Sequence, residues 1–254
     1  MDWSPDTYRS FADQRQEPAV DLIARLGAID PRYIVDLGCG AGAATDLLRK
    51  RWADARIDGI DNSAAMLEAA QTANVRWQAA DIAGWRPTAA PDLIFSNAAL
   101  HWLDNHRQLM PRLAAFLAPG GVLAIQMPDN FDGAEHRAAR AAMADGPWAP
   151  LMAQQLRHNP LAAADDYRRI LAPCCGALAI WRQVYRHLMP SLDDVVRWMA
   201  GAALAPALAG LGDGEKKAFL SVFRAHLESR LGADKNGAFP MPYRRLFIIA
   251  GAAK

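Results

Sequence analysis

Residues 33–43 read Tyr33-Ile34-Val35-Asp36-Leu37-Gly38-Cys39-Gly40-Ala41-Gly42-Ala43. An apolar, β-branched run leads into an acid, and three glycines then alternate with small residues. The run has the composition of a buried strand. The glycines let the backbone turn tightly and approach a ligand where a Cβ would collide. From Ala43 to Lys50 the composition is helical, so the loop ends at a helix N-terminus. A strand, a glycine loop and a helix in that order form a cradle for a nucleotide-type cofactor.

The glycines alone do not name the cofactor, because Gly38 to Ala43 also satisfies the dinucleotide pattern G-x-G-x-x-[G/A]. The acids around the loop discriminate. Asp36 stands two residues before Gly38, where a carboxylate repels a pyrophosphate and suits a cation such as an amino group. Asp61 ends the next apolar strand, where ribose hydroxyls are held. Asp81 ends a third. Three strand-ending acids describe a site for a ribose, an adenine amine and a positive charge, all of which S-adenosylmethionine carries. A dinucleotide, and with it a dehydrogenase, fits less well.

Outward from the loop, strand and helix alternate. Strands are predicted at 33–37, 56–60, 75–79, 91–96 and 121–127, with helical stretches at 43–52, 63–73 and 105–117 between them. Before them, Glu17 to Leu26 reads as an amphipathic helix with Pro18 near its first position. The spacing predicts an α/β fold, a Rossmann-like doubly wound sheet with helices on both faces. After Met127 the rhythm breaks: 133–172 is rich in Ala, Arg and Asp without a clear strand. A strand at 177–187, helices at 191–204 (opening on Ser191 and Asp194) and 213–231, and a last strand at 245–250 follow. We expect a single domain over 1–254, with helical lid insertions at about 130–172 and 190–235 over the carboxyl end of the sheet.

Composition excludes several classes. Lys and Arg number 28 against 27 Asp and Glu, a net charge of +1, so no global field favours nucleic acid. Cys39, Cys174 and Cys175 make no disulfide framework, and the adjacent pair is poorly placed to bridge itself. The opening segment MDWSPDTYRS lacks the basic-then-apolar pattern of a secretory signal. Trp198 to Leu211 is too short to span a bilayer. These features predict a cytoplasmic protein without membrane attachment. The six histidines form no metal signature with cysteines or acids, so no metal is expected.

The ordered set VDLGCGAG, GIDNS, AADI, FSNAALHW and LAPGGVLAI resembles the class I S-adenosylmethionine-dependent methyltransferases. The resemblance implies a seven-stranded sheet whose last strand is antiparallel. The flanks WSPDTYRSFADQRQEPAVDLIARL, IQMPDN, HLMPS and RRLFIIA look like the trans-aconitate 2-methyltransferase family, nearly end to end and least in the Ala-rich region. Enzymes of that family form a monomethyl ester on trans-aconitate, a small-molecule tricarboxylate, and release S-adenosylhomocysteine. A carboxylate is already ionised at neutral pH, so it attacks a methyl sulfonium without a general base. No acid–base catalytic residue is therefore assigned, and alignment and water exclusion carry the rate.

The expected cofactor set is Arg15, Asp36, Gly38, Gly40, Gly42, Asp61, Asn62, Met66, Asp81, Ile82 and Asn97. Expected acceptor-side residues are Tyr8, His101, Trp102, Gln126, Arg186 and Arg245, with Asn130 beside Gln126. Arginine suits them because its fork matches a carboxylate. Strand alternation allows only one of Arg186-His187 and one of Arg244-Arg245 to face a site. Cys39 reads as a small loop residue, and Trp198 as core. Two alternatives remain open: another small acid or an O- or N-acceptor, for which His101 becomes the base, and a cofactor-binding module without turnover. The oligomeric state is not fixed by the sequence.

Overall fold

The computed structural model describes residues 12–152 and 159–252. Helix α1 (Ala12–Arg25) precedes an alternating series: β1 (Tyr33–Leu37), α2 (Ala43–Arg51), β2 (Arg56–Asp61), α3 (Ala64–Ala69), β3 (Val75–Ala79), β4 (Leu93–Asn97), α4 (His106–Ala114) and β5 (Val122–Pro128). Helices α5 (Ala134–Ala144), α6 (Ala149–Met152) and α7 (Ala164–Leu171) lead to the long strand β6 (Cys175–Met189). Helices α8 (Leu192–Ala200), α9 (Ala205–Ala209) and α10 (Asp213–Glu228) then precede β7 (Phe239–Ala252).

The seven strands form one sheet in the order β3-β2-β1-β4-β5-β7-β6. The pairings among β1 to β5 are parallel, and β7 runs antiparallel to β5. This is the mixed, mostly parallel sheet that the resemblance implied. The order reverses between β1 and β4, the switch point at which open α/β sheets bind ligands beyond the carboxyl ends of their strands.

The chain divides into two compact units. The described residues of one lie within 13–128, 160–183 and 245–254, and those of the other are Ala12 and those within 129–159 and 184–244. In the first, one sheet face is built from alternate positions, among them Val35, Leu37, Ile60, Ile94, Ile125 and Met127. They pack against Leu109, Met110 and Leu113 of α4 and Tyr167 and Leu171 of α7. Tyr167 hydroxyl meets His106 Nδ1 at 2.5 Å, and His106 Nε2 reaches the Leu100 carbonyl at 2.9 Å. Nε2 donates to that carbonyl, and in the neutral ring Nδ1 then accepts from the tyrosine. The opposite face carries Asp36, Gly59, Phe95, Asn97 and Gln126, as the register pairs Asp36 with Gly59 and Phe95, and Asn97 with Gln126.

In the second unit α5 packs along α10. Its interior is aromatic: Trp148 meets Phe219 edge-on at 5.4 Å, and Trp198 meets Tyr243 at 5.5 Å. Ser191 caps α8, its Oγ accepting from Asp194 N–H at 3.2 Å and donating to Asp194 Oδ2 at 2.7 Å.

Three differences from the sequence reading change where segments belong. Pro18 lies inside α1 rather than at its start; the preceding Ala12-Asp13-Gln14-Arg15-Gln16 favours helix strongly enough to begin it a turn or more earlier. Residues 160–172 belong with the sheet, because Tyr167 and Leu171 are buried under α4. Strand β7 begins at Phe239, six residues before the expected 245. Among the described residues no helix is long and apolar enough to cross a membrane.

Candidate active site

The loop after β1 is shaped by steric necessity. Gly38 has φ +74°, and a Cβ there would stand 2.1 Å from Ala99 Cβ. Gly42, with φ +88°, would bring a Cβ to 3.0 Å from the Trp77 ring. Gly38 and Cys39 both donate to the Ile60 carbonyl, at 2.8 and 3.1 Å, which ties the loop to β2. The loop then opens α2 at Gly42, leaving helix N–H groups at its rim.

Asp61 organises the loop from the next strand. Its Oδ2 accepts from Gly40 N–H at 2.8 Å and its Oδ1 from Ser63 N–H at 2.9 Å. Ser63 in turn caps α3, accepting from Met66 N–H at 3.3 Å. Each carboxylate oxygen retains a second lone pair, available to ribose hydroxyls. Met66 and Ile82 are buried, and Ile82 lies 3.6 Å from where a Gly38 Cβ would be. Asn62 and Asp81 are exposed, and Asp81 Oδ1 accepts from Ala83 N–H at 2.9 Å. The 81–85 turn is held by Arg112, which donates to the Ile82 carbonyl at 2.8 Å and the Trp85 carbonyl at 3.2 Å.

Asp36 is wholly buried. Its Oδ2 accepts from Thr45 hydroxyl at 2.6 Å, and its Oδ1 has no partner. Burial pushes its carboxyl up to about 7, against the Thr45 hydrogen bond and aided by the charge of Asp61. Since the folded value lies above the usual carboxylate range, this group favours folding below pH 4 and loses that contribution as pH rises through about 7. A cationic ligand at Oδ1 reverses the preference by stabilising the ionised form. Affinity for a cationic cofactor is therefore expected to fall as pH drops from 7.5 towards 5.5, with a slope approaching tenfold per unit. Titration calorimetry across that range checks this, and Asp36→Asn should flatten the profile. Cys39 is buried, and burial first, then the charges of Asp36 and Asp61, push its thiol far up.

Sequence reasoning missed Thr45, which partners Asp36, and Trp77, whose ring occupies the space above Gly59 (a Cβ would meet it at 2.4 Å). It also missed Ala98, whose φ of +53° turns the chain after β4 so that Ala99 abuts Gly38. Only the glycine in GIDNS hinted at any of these.

Residues 11–173 match a family model described as a methyltransferase domain. Curated relatives named trans-aconitate 2-methyltransferase are 41% identical. The protein from Yersinia pestis (strain Pestoides F) matches over 100% of both chains, and that from Azoarcus sp. (strain BH72) over 98% of each. The chain belongs to the trans-aconitate 2-methyltransferase family. The fold is shared more widely. Haemonchus contortus phosphoethanolamine N-methyltransferase 2, solved with phosphomonomethylethanolamine and S-adenosylhomocysteine, superposes with TM-score 0.58 at 14% identity, covering 94% of this chain and 53% of that one. The YcgJ protein of Bacillus subtilis gives 0.59 at 15%, covering 94% and 99%.

Within this family member, the expected acceptor-side residues are variously placed. Tyr8 lies outside the described residues. Arg15 is buried on α1. His101 is buried against the Trp102 ring, with centroids 4.9 Å apart. Gln126 is fully buried and Asn97, its register partner, half-buried. At each paired position one member is inside: His187 and Arg245 are buried, whereas Arg186 is exposed. Arg244 donates to the Asp129 carbonyl at 2.8 Å and to Asp132 at 2.6 Å. His187 sits among Trp198, Tyr243 and Tyr185, at 5.2, 6.0 and 6.4 Å between rings. Asn130 Nδ2 donates to buried Glu135 at 2.7 Å, so that amide N–H is committed within its own unit. Among the described residues no three His, Cys, Asp or Glu are placed to hold a metal ion.

Proposed function

We propose that the chain is a trans-aconitate 2-methyltransferase, forming a monomethyl ester on one carboxylate of that tricarboxylate. Membership of the family at full length carries this reading, and the cradle supports it. Asp36 Oδ1 is a buried carboxylate oxygen in want of a cation. Gly40 has open space beside its backbone, and Asp61 retains acceptor capacity. These residues fit S-adenosylmethionine. The cofactor set of Arg15, Asp36, Gly38, Gly40, Gly42, Asp61, Asn62, Met66, Asp81, Ile82 and Asn97 belongs to the proposal.

When bound, the cofactor supplies an electrophilic methyl: a carboxylate oxygen forms the new O–C bond as the C–S bond breaks, its electron pair returning to sulfur. The protein then has no proton to remove. Its work is to hold the donor in the cradle, to fix the acid at the carboxyl ends of β4 and β5, and to exclude water. Gln126 and Arg245 are the buried acceptor-side residues on the sheet. A cytoplasmic location accords with three free cysteines.

Steady-state assays with S-adenosylmethionine and a panel of di- and tricarboxylates test the substrate. Trans-aconitate should show a kcat/KM at least about tenfold above the other acids, because a buried polar site discriminates steeply against acids that leave its groups unpaired. Turnover of a different acid alone would move the substrate, and cofactor binding without turnover of any acceptor would indicate a binding module.

A further inference from the structure

Gln126 sits near the carboxyl end of β5 with none of its side chain exposed, yet neither its Nε2 nor its Oε1 has a hydrogen-bond partner. Asn97, at the carboxyl end of β4, is its register neighbour across the parallel pair, and Asn97 Oδ1 is buried and unpaired too. Residues in register point to one face of a sheet, so the two carboxamides stand side by side. Three orphaned polar atoms in one place would each cost about 1–3 kcal/mol in a protein with nothing to meet them. Such groups are rare in folded proteins and mark ligand sites or ordered water.

The pair is held firmly. Ala98 N–H donates to the Gln126 carbonyl at 3.0 Å, fixing the two strand ends together. On the far side Gln126 is in register with Phe247 of β7, whose ring stacks on Trp181 at 4.9 Å. Arg245, two residues from Phe247 and buried, shares that sheet face, as does Asp36 on the glycine-loop side. The amides thus lie on the sheet between the acid suited to the cofactor's cation and a cation suited to a carboxylate.

We propose that this pair seats the carboxylate that receives the methyl group, Gln126 donating its Nε2–H to the oxygen that does not attack. This rests on the reading of the chain as a carboxylate methyltransferase. The two amide oxygens, Asn97 Oδ1 and Gln126 Oε1, face the positively polarised methyl side, where C–H···O contacts contribute about 0.5–1 kcal/mol each. A neutral donor has a chemical advantage at this point. A guanidinium on the reacting carboxylate would bind it more tightly but withdraw charge from the nucleophile; an amide orients it and leaves it basic. Arg245, a buried cation on the same sheet face, suits a second carboxylate of a polyacid, which makes polyanions the preferred class.

The test compares wild type, Gln126→Met and Gln126→Glu. Methionine has similar volume and removes both unpaired atoms, so the ligand-free protein should melt at the wild-type temperature or above it. Affinity for S-adenosylhomocysteine should stay within about fivefold, while kcat/KM for trans-aconitate drops about 100-fold. Gln126→Glu places a second anion beside the acceptor. It should lose more at pH 8 and regain part of its activity near pH 6, where a buried glutamate takes up a proton. A fall of more than about 5 °C in the ligand-free melting temperature of Gln126→Met would show that the amide serves the fold, and would overturn the proposal. So would turnover of trans-aconitate within threefold of wild type. Wild-type turnover, measured alongside, tests the underlying reading separately. If another carboxylic acid proves to be the substrate, the loss in Gln126→Met is read on that acid.

Discussion

Gly38→Ala is expected to abolish measurable methyl transfer and to lower the ligand-free melting temperature by about 10 °C or more. Two costs add. The residue holds φ +74°, where a Cβ disfavours the backbone by about 1–2 kcal/mol. The new methyl would also stand 2.1 Å from Ala99 Cβ, roughly half a normal contact distance. Ala99 has little freedom to retreat, because Ala98 N–H is bonded to β5 and Ala99 itself accepts from Trp102 N–H at 3.0 Å. The loop must therefore move, and with it the cradle. Gly40→Ala is the control. Its φ is +54° but no atom lies within 4 Å of a built Cβ, so only the backbone cost applies and the melting temperature should fall by about 3–6 °C. Equal losses for the two variants would mean that the contact with Ala99 is not what shapes the loop.

The second large effect is expected at Asp61. Its carboxylate accepts two backbone N–H bonds, from Gly40 and Ser63, each worth about 1.5–3 kcal/mol as a bond to a charged group. Asp61→Ala frees the glycine loop and the start of α3 together and removes the proposed ribose partner. Affinity for S-adenosylhomocysteine should fall at least about 100-fold by calorimetry, equivalent to roughly 2.8 kcal/mol. Asp61→Asn should do almost as badly, since its NH2 must face either Gly40 N–H or Ser63 N–H, donor against donor. An asparagine variant that binds within threefold of wild type would contradict this geometry.

Much of the parallel half of the fold was legible in the sequence because β1, β2 and β4 end at or beside an acid or an amide: Asp36, Asp61, Asn97. Buried parallel strands need apolar runs, and their carboxyl ends need ligand groups. The extension of β7 to Phe239 was not legible. Pro240 and Pro242 read as a loop, yet both are exposed, and pairing with β5 ends at Arg245, so missing N–H groups are tolerated. Likewise the Ala-, Arg- and Asp-rich composition put 164–171 within the expected lid insertion, whereas Tyr167 and Leu171 are buried in the core under the sheet. The individual site groups Asp36, Asp61 and Gln126 could be named from sequence. Their pairing could not: that Asn97 and Gln126 adjoin is a matter of register between strands 29 residues apart, set by packing of the whole sheet.

The most direct test of the account is product analysis with S-adenosylmethionine carrying a trideuterated methyl group. Incubation with trans-aconitate should yield a monomethyl product bearing all three deuterons, together with S-adenosylhomocysteine in equal amount. The product should return to trans-aconitate on mild alkaline hydrolysis, as an ester must. A label that appears only in an alkali-stable product, or on an acceptor without a carboxylate, would contradict the account.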